Sequence, residues 1–299
     1  MLRRSRELFA DILRQTDLVL LALCAAASLF GVLMVASATR YMHTWHLVAV
    51  QSVALLLGVV LYLVISQIDL SDLCKYWKWI FLVGVVCILL LVTPLGIADN
   101  TGNRAWLDFP FLPVKVQPAE IVKLTLTLVL AKQLVWLKEN RNLSSIPSVL
   151  FLAAHLGVIF VLYYKVSSDM GSALVFLFIF ACMCFVGGVA LRWFLLGGLA
   201  GGLAFWAMWD LNKIPSYMKL RFQVLFDHSL DPQDTGWQQT RSLMALGSGK
   251  LTGQGLFRGT QTQSEYSSAL PNRHTDFIFT VIGEELGFIG CLLALAILA

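Results

Sequence analysis

Charge is scarce in this chain. Asp, Glu, Lys and Arg make up 13% of its 299 residues, against about 25% in a soluble domain. Hydrophobic residues make up 58%. That balance excludes an ordinary water-soluble globule. The net charge of +4 is small for this length and fits basic loops at a membrane surface better than a nucleic-acid site. No disulfide framework is present either. Cys24, Cys87, Cys182, Cys184 and Cys291 lie inside apolar runs and Cys74 sits at the edge of one, so all six read as small apolar fillers. Cys182 and Cys184 have no His or further Cys nearby, which excludes a metal site there. No small-residue cleavage site follows the arginine-rich start MLRRSRELFADILRQ, so it reads as a cytoplasmic lead-in rather than a removed signal peptide.

What is there is a succession of long apolar runs. A bilayer core takes about 20 apolar residues per helix. Eight runs qualify, near 17–39, 46–66, 76–97, 119–137, 147–164, 172–190, 192–210 and 276–298. The expected fold is therefore an all-α polytopic membrane protein in a single membrane domain, 1–299. With the N-terminus cytoplasmic, Arg3, Arg4, Arg6, Arg14, Lys75, Lys78, Lys138, Arg141 and Arg192 all fall inside. The short outer segments then hold only Arg40, Arg104, Lys115 and Lys165, as the positive-inside rule requires. Segment 211–275 becomes a large outer loop between spans 7 and 8. Its stretch WQQTRSLMALGSG has apolar residues at helical spacing and predicts a short amphipathic helix at the outer interface. The chain stops at CLLALAILA, in or just after the eighth span, as a truncated chain would.

A charge within the bilayer costs roughly 2.5–3.5 kcal/mol on insertion scales, so polar residues in the spans need a partner or a task. Glu120 and Lys123, three apart in QPAEIVKLTLTLVLAK, share a helix face and can pair. They serve either as an ion pair that orients helices or as the lining of a cavity open to the outside. Asp169 in VSSDMGSA suits the N-cap of the sixth span. In NRHTDFIFTVIGEELGFIG, Asp276, Thr280, Gly283 and Gly287 fall on one helical stripe that starts at the outer surface. Glu284 lies about 12 Å deeper along the axis. Glu285 points about 100° further round, so the two glutamates cannot share one site without a helix break, and at least one needs a polar partner from another span. Lys123 is one candidate mate. The run GSGKLTGQGLFRGT holds five glycines in 14 residues but lacks the G-x-x-x-x-G-K-[ST] order of a phosphate loop. It reads as a tight turn packed over the membrane mouth, whose backbone N–H groups could meet a lipid diphosphate.

GNRAWLDFPFLPVKVQPAEIVKL, SDMGSA, GSGKLTGQGLFRGTQTQ and HTDFIFTVIGEELG stand in that order between the spans. On these motifs the chain resembles the shape, elongation, division and sporulation (SEDS) family of bacterial membrane proteins over essentially its whole length. The resemblance implies a fold of ten spans, of which this chain reaches eight, with the C-terminal spans missing. It implies a multi-pass protein of the bacterial cytoplasmic membrane, a peptidoglycan glycosyltransferase that polymerises lipid II on the outer face. Its implied partner is a class B penicillin-binding protein, and nucleic acid is not among its partners. GTQTQ favours the elongation type over the division or sporulation type. The family's catalytic acid falls on Asp276, and its other motif positions fall on Trp106 with Arg104, and on Glu120 and Lys123. Before the sixth span the family often reads Gln-Pro-Asp-Leu-Gly. Here the order is Ser167, Ser168, Asp169, Met170, Gly171, which keeps the Asp and Gly and loses the Gln and Pro.

The implied reaction needs a base, positive charge for a departing diphosphate, and two lipid-accessible slots. Asp276 is the candidate base, and partial burial under the long loop would tune it for that task. A single carboxylate acting by direct displacement would invert the anomeric centre. Arg104, Lys115, Arg241, Lys250, Arg258 and Arg273 are candidates for the diphosphate, with Arg273 favoured because it lies three residues from Asp276. A divalent cation, Mg or Mn, bridging Asp276 and the diphosphate is the one cofactor the chemistry admits. Glu284 and Glu285 read as structural or cavity-lining. The rival function is a lipid II flippase, since charges within spans also mark transporters. The absence of an obvious inverted repeat and an acidic site at one face both weigh toward the transferase.

Overall fold

A computed structural model describes residues 16–98, 103–110, 115–214, 216–233, 235–266 and 268–299; the expected cytoplasmic lead-in lies outside them. Ten helices longer than two turns carry the fold among these residues: α1 (Leu18–Thr39), α2 (His46–Ile65), α3 (Trp77–Leu90), α4 (Pro118–Asn140), α5 (Ile146–Ser167), α6 (Met170–Gly187), α7 (Leu191–Asp210), α8 (Ser216–Val224), α9 (Thr235–Ser248) and α10 (Ile278–Leu298). Among the described residues, seven segments are long and apolar enough to cross a membrane: the lengths built on α1, α2, α3, α5, α6, α7 and α10. α4, expected to span as well, is a 23-residue helix that carries Glu120, Lys123, Lys132, Lys138 and Glu139. α2 and α7 bury no residue. An apolar helix with no buried face suits a bilayer, because lipid supplies the surroundings that a core supplies elsewhere. The chain is a multi-pass membrane protein.

Two compact units emerge, one of residues up to Ile68 together with Leu211–Ala299, the other of Asp69–Asp210. In the second unit, α3 runs against α4 where Gly84 meets Thr125, with no room for a Cβ. Ile88, Leu126, Ile159, Tyr163 and Phe176 form its main core. Pro118 opens α4 and a proline also sits in the first turn of α5, where no backbone N–H is missed. α3 stops at Leu90, short of the expected 97, because Thr93 and Pro94 turn the chain. A two-residue antiparallel pair then follows, β1 (Gly96–Ile97) with β2 (Trp106–Leu107), which the all-α expectation did not include.

In the first unit, α1 opens on Asp17, whose carboxylate accepts the amides of Val19 and Leu20 at 3.0 Å. Met34 and Ala38 near its far end pack with Val281, Ile282, Cys291 and Ala294 of α10. The segment expected as one outer loop holds α8, a 3₁₀ turn (His228–Leu230) and α9. α9 is the expected amphipathic helix. It buries Ser242 and Ala245 while Leu243 and Met244 stay exposed.

Candidate active site

Asp276 does not stand on a helix. It sits in a turn, Asn272–Phe277, and α10 begins after it. The amides of Thr275 and Phe277 both donate to the Asn272 carbonyl, at 3.1 and 3.2 Å. These bonds wind the backbone into a turn before helix geometry starts. The stripe expected from Asp276 through Gly287 thus begins only at Thr280, whose hydroxyl meets that of Ser242 on α9. Asp276 is exposed, so the partial burial expected of it is absent. An exposed carboxylate at the mouth of a span is placed to receive a proton from an incoming group.

Arg273 is placed very differently. It is 1% exposed. Its Nη1 donates to the carbonyls of Gln261 and Thr262, and its Nη2 to those of Ser264 and Tyr266 at 3.0 and 3.5 Å. The guanidinium lies 3.5 Å over the ring of Tyr41. Burial pulls its pKa below the usual arginine range, and Tyr41 works against that. The expectation that Arg273 meets a substrate diphosphate is corrected here. Its planar fork is occupied by backbone carbonyls and holds the segment before Asp276 against the loop.

Beneath that turn, Glu284 and Glu285 are both fully buried, and one loop satisfies both. Glu284 accepts the amide of Gln261 at 2.7 Å and the amide and hydroxyl of Thr262 at 2.8 and 2.6 Å. Glu285 accepts the Phe257 amide at 3.0 Å, the Gly259 amide at 3.4 Å, the Gln263 side-chain amide at 2.8 Å and the Ser37 hydroxyl at 2.6 Å. Ser37, on α1, is the polar partner from another span that the sequence required. Lys123 is not that partner, since it pairs with Glu120 at 2.7 Å. A buried carboxyl group is tolerated when its oxygens are supplied with several N–H and O–H donors.

The glycine-rich run owes its composition to this packing. α10 breaks at Gly287, whose φ of 69° and ψ of −165° no helix contains. The broken ends are joined through the run. The Glu284 and Glu285 carbonyls accept the amides of Gln254 and Gly255, both at 2.9 Å, while the Phe288 and Ile289 amides donate to the carbonyls of Lys250 and Leu251 at 2.9 and 3.1 Å. A freed helix end in apolar surroundings must find such partners. The approach is close: a Cβ on Gly287 would stand 2.3 Å from the Gly253 nitrogen, and one on Gly249 only 1.8 Å from the Gly283 carbonyl oxygen. The backbone N–H groups expected to cradle a diphosphate are therefore directed at carboxylates and carbonyls of α10. Lys250 keeps its side chain exposed while its carbonyl serves the break. Arg258 is exposed as well, and Arg241 lies over the ring of Trp237 at 5.3 Å.

The second unit holds the remaining predicted residues. Asp169 is the N-cap of α6, accepting the amide and hydroxyl of Ser172 at 3.2 and 2.6 Å and the Tyr163 hydroxyl at 3.2 Å. Arg104, Trp106 and Lys115 are exposed on the strand segment, tied at its base by the Arg104 amide to the Ser167 carbonyl at 3.0 Å. The Glu120–Lys123 pair is partly exposed. Among the described residues no three His, Cys, Asp or Glu side chains lie close enough to hold a metal ion. A cation at Asp276 would take its other ligands from substrate oxygens and water.

Sequence reasoning passed over Ser37, Tyr41 and Gln263. Ser37 and Tyr41 stand out only as polar atoms closing an apolar run, and Gln263 only as the last amide of GTQTQ.

This arrangement has known counterparts. A family model described as the cell cycle protein family of FtsW, RodA and SpoVE matches residues 15–299. The chain belongs to that family. Among FtsW/RodA/SpoVE relatives, it is 33% identical over 245 residues to the peptidoglycan glycosyltransferase MrdB of Escherichia coli K12, covering 81% of this chain and 62% of that protein. It is 32% identical over 290 residues to a probable peptidoglycan glycosyltransferase FtsW of Geobacter metallireducens, covering 94% of this chain and 73% of that one. This chain thus spans about three fifths of the length of MrdB. Solved structures of the family match its fold. A chain of a peptidoglycan synthase complex that coordinates polymerization and crosslinking superposes with a TM-score of 0.73 at 28% identity, over 94% of this chain and 74% of that one. Rod shape determining protein RodA of Thermus thermophilus gives 0.61 at 26%, over 94% and 71%.

Proposed function

We propose that this chain is the greater part of a peptidoglycan glycosyltransferase that polymerises lipid II at the outer face of the bacterial cytoplasmic membrane, in cell elongation, with Asp276 as its base. The observation that carries the reading is the contrast within one segment. Arg273 is buried with both terminal nitrogens on loop carbonyls, whereas Asp276, three residues on, is exposed on a turn anchored by that arginine. Relatives named as peptidoglycan glycosyltransferases support the chemistry, and a peptidoglycan synthase complex among the structural counterparts supports a class B penicillin-binding protein as partner. The distribution of Arg and Lys supports a cytoplasmic N-terminus.

In the reaction, the acceptor sugar hydroxyl gives its proton to the Asp276 carboxylate. Its oxygen bonds to the anomeric carbon of the donor, and the bond from that carbon to the diphosphate oxygen breaks with its electron pair. Displacement on one face inverts that carbon. Loop and turn stay in place through the step because Glu284, Glu285 and Arg273 hold them, so the base is positioned before substrate arrives. The test is glycan synthesis from labelled lipid II by the full-length protein with its penicillin-binding partner. Wild type should give a ladder of products on a gel and Asp276→Ala none. Equal ladders from both would sink the assignment of Asp276. No ladder from either would return lipid transport to the front.

A further inference from the structure

In the second unit, the start of α3 meets the last turns of α4 at a groove that the glycosyltransferase reading does not use. It has a volume of about 230 Å³ and is lined by Trp77, Lys132, Gln133, Trp136 and Phe151. Its form follows from the chain. Trp77 is the first residue of α3. Lys132, Gln133 and Trp136 are neighbours on α4, where residues three and four apart share a face. Phe151 comes from α5, and its ring lies 6.4 Å from that of Trp136. α4 packs against α3 and α6, both long and apolar enough to span. Trp136 and Phe151 leave their rings exposed, so the groove opens on the surface that faces lipid.

Two polar groups stand among these aromatic walls. Lys132 is partly buried. No acidic side chain lines the groove, and among the described residues Lys132 has no carboxylate partner. At 1.5 Å per residue it lies about 12 Å from the Asn140 end of α4. A cation at that depth is costly without a counter-charge. Gln133 is 8% exposed. Its side-chain carbonyl accepts from His155 Nδ1 at 2.9 Å, and the Phe81 ring meets that imidazole edge-on at 5.3 Å. The amide is thus fixed, with its NH₂ left to the groove. More positive charge stands at the rim. Lys78 lies 5.8 Å from the Trp77 ring centroid, and Arg141 lies 5.8 Å from that of Trp136. Asp72 is paired with Lys75 at 2.6 Å, which leaves Glu139 against Lys78, Lys132, Lys138 and Arg141 at this end. A cation and an amide donor set between aromatic rings are complementary to an anion that carries an apolar chain. Tryptophan is also the side chain that settles at headgroup level.

We infer that this groove holds one anionic glycerophospholipid of the adjoining leaflet, with its phosphate on Lys132 and the Gln133 amide and an acyl chain against Trp77 and Phe151. At about 230 Å³ the groove is smaller than a site that encloses a drug-sized ligand. It therefore takes the phosphate and the start of one chain, and the rest of the lipid stays in the bilayer. The lipid supplies the counter-charge that Lys132 lacks and bridges α3, α4 and α5. The inference does not depend on the chemistry assigned to Asp276.

The test is equilibrium binding of radiolabelled phosphatidylglycerol to full-length protein in detergent, at about 0.3 M salt so that exposed charges are screened. Wild type should show a saturable site above background, and phosphatidylglycerol should raise its melting temperature by mass action. Lys132→Glu should abolish that site. Lys132→Ala should weaken it about tenfold or more, as loss of a charge-assisted contact does, and Lys132→Arg should keep it. Lys138→Glu, at an exposed position of the same helix, should leave it unchanged. Gel filtration and melting temperature show which variants are folded. Wild-type affinity in folded Lys132→Glu or Lys132→Ala would overturn the assignment. An equal loss in Lys138→Glu would also overturn it, since diffuse surface charge would then account for binding. Two competitors need no variant: phosphatidylcholine and inorganic phosphate should both fail to displace the lipid. Displacement by the first would make this a general lipid groove and by the second a free-anion site, and either result sinks the inference.

Discussion

The Ser37 hydroxyl donates to the Glu285 carboxylate at 2.6 Å, joining α1 to α10 across 248 positions of sequence. The same carboxylate holds the loop through Phe257, Gly259 and Gln263, and Gln263 also donates to the Ser37 carbonyl and hydroxyl at 3.2 and 3.0 Å. First span, loop and last described helix therefore meet at one side chain. The other carboxylate, Glu284, adds a second fixed point 22 and 23 residues from its partners Thr262 and Gln261.

Removing one donor from this junction should be measurable. Ser37→Ala removes one donor from a fully buried carboxyl group and should cost about 1–3 kcal/mol. Glu285→Gln should cost more, because its new NH₂ donors face the donors of Phe257, Gly259 and Ser37. Thermal unfolding in detergent, followed by gel filtration, reads both. A Glu285→Gln protein as stable as wild type would mean that the Glu285 carboxyl group does not hold the loop.

Arg273 and Asp276 should separate cleanly by phenotype. Arg273→Ala strips four loop carbonyls of their donor in a buried site and should lower stability by about 3 kcal/mol or more. Arg273→Lys should recover little, because a single ammonium cannot reproduce the fork. Asp276→Asn is an exposed change and should leave stability within about 0.5 kcal/mol of wild type while glycan synthesis disappears.

Gly287→Ala should be among the most damaging small substitutions in the chain. Its φ of 69° is strained for any residue with a Cβ, and the added carbon would meet backbone of Gly253 and Leu251, which cannot swing aside as a side chain can. Expression level and melting temperature should both fall. Gly290→Ala makes a useful comparison. Its added carbon would be crowded by the Leu286 Cβ, but its backbone is outside the left-handed region, so its loss should be smaller.

Asp169→Ala should act where α5 meets α6. Loss of an N-cap costs about 0.5–2 kcal/mol, and the Tyr163 hydroxyl loses its partner too. Glycan synthesis should persist in proportion to folded protein. Complete loss of synthesis in a well-folded Asp169→Ala would move this residue from helix cap to chemistry.

Apolar runs made most helices legible in the sequence, and helical spacing located α9 within a loop. Asp169 was legible as a cap because capping is local. Asp276 was legible only as a member of a motif. Its helical stripe was a wrong extrapolation, because periodicity does not register a turn that ends one residue before a helix begins. The break at Gly287 was invisible for a related reason: glycine inside an apolar run looks like any small packing residue until its backbone neighbours are known. Ser37 and Gln263 could not be assigned to Glu285 from sequence, since Ser37 lies 248 positions away and Gln263, 22 away, shares no helical or strand register with it. The buried Arg273 reads in sequence as one more surface cation, and only its four carbonyl acceptors mark it otherwise.

The broken α10 gives the loop an unexpected mechanical standing. The Phe288 and Ile289 amides and the Glu284 and Glu285 carbonyls, which an unbroken helix would join in two hydrogen bonds, instead make four bonds to residues Lys250–Gly255. Lifting that loop away would unzip a membrane helix at its middle. The amides of Gln254 and Gly255 should accordingly exchange hydrogen as slowly as those of a span interior, and a pull on the loop would be felt directly in the helix that begins beside Asp276.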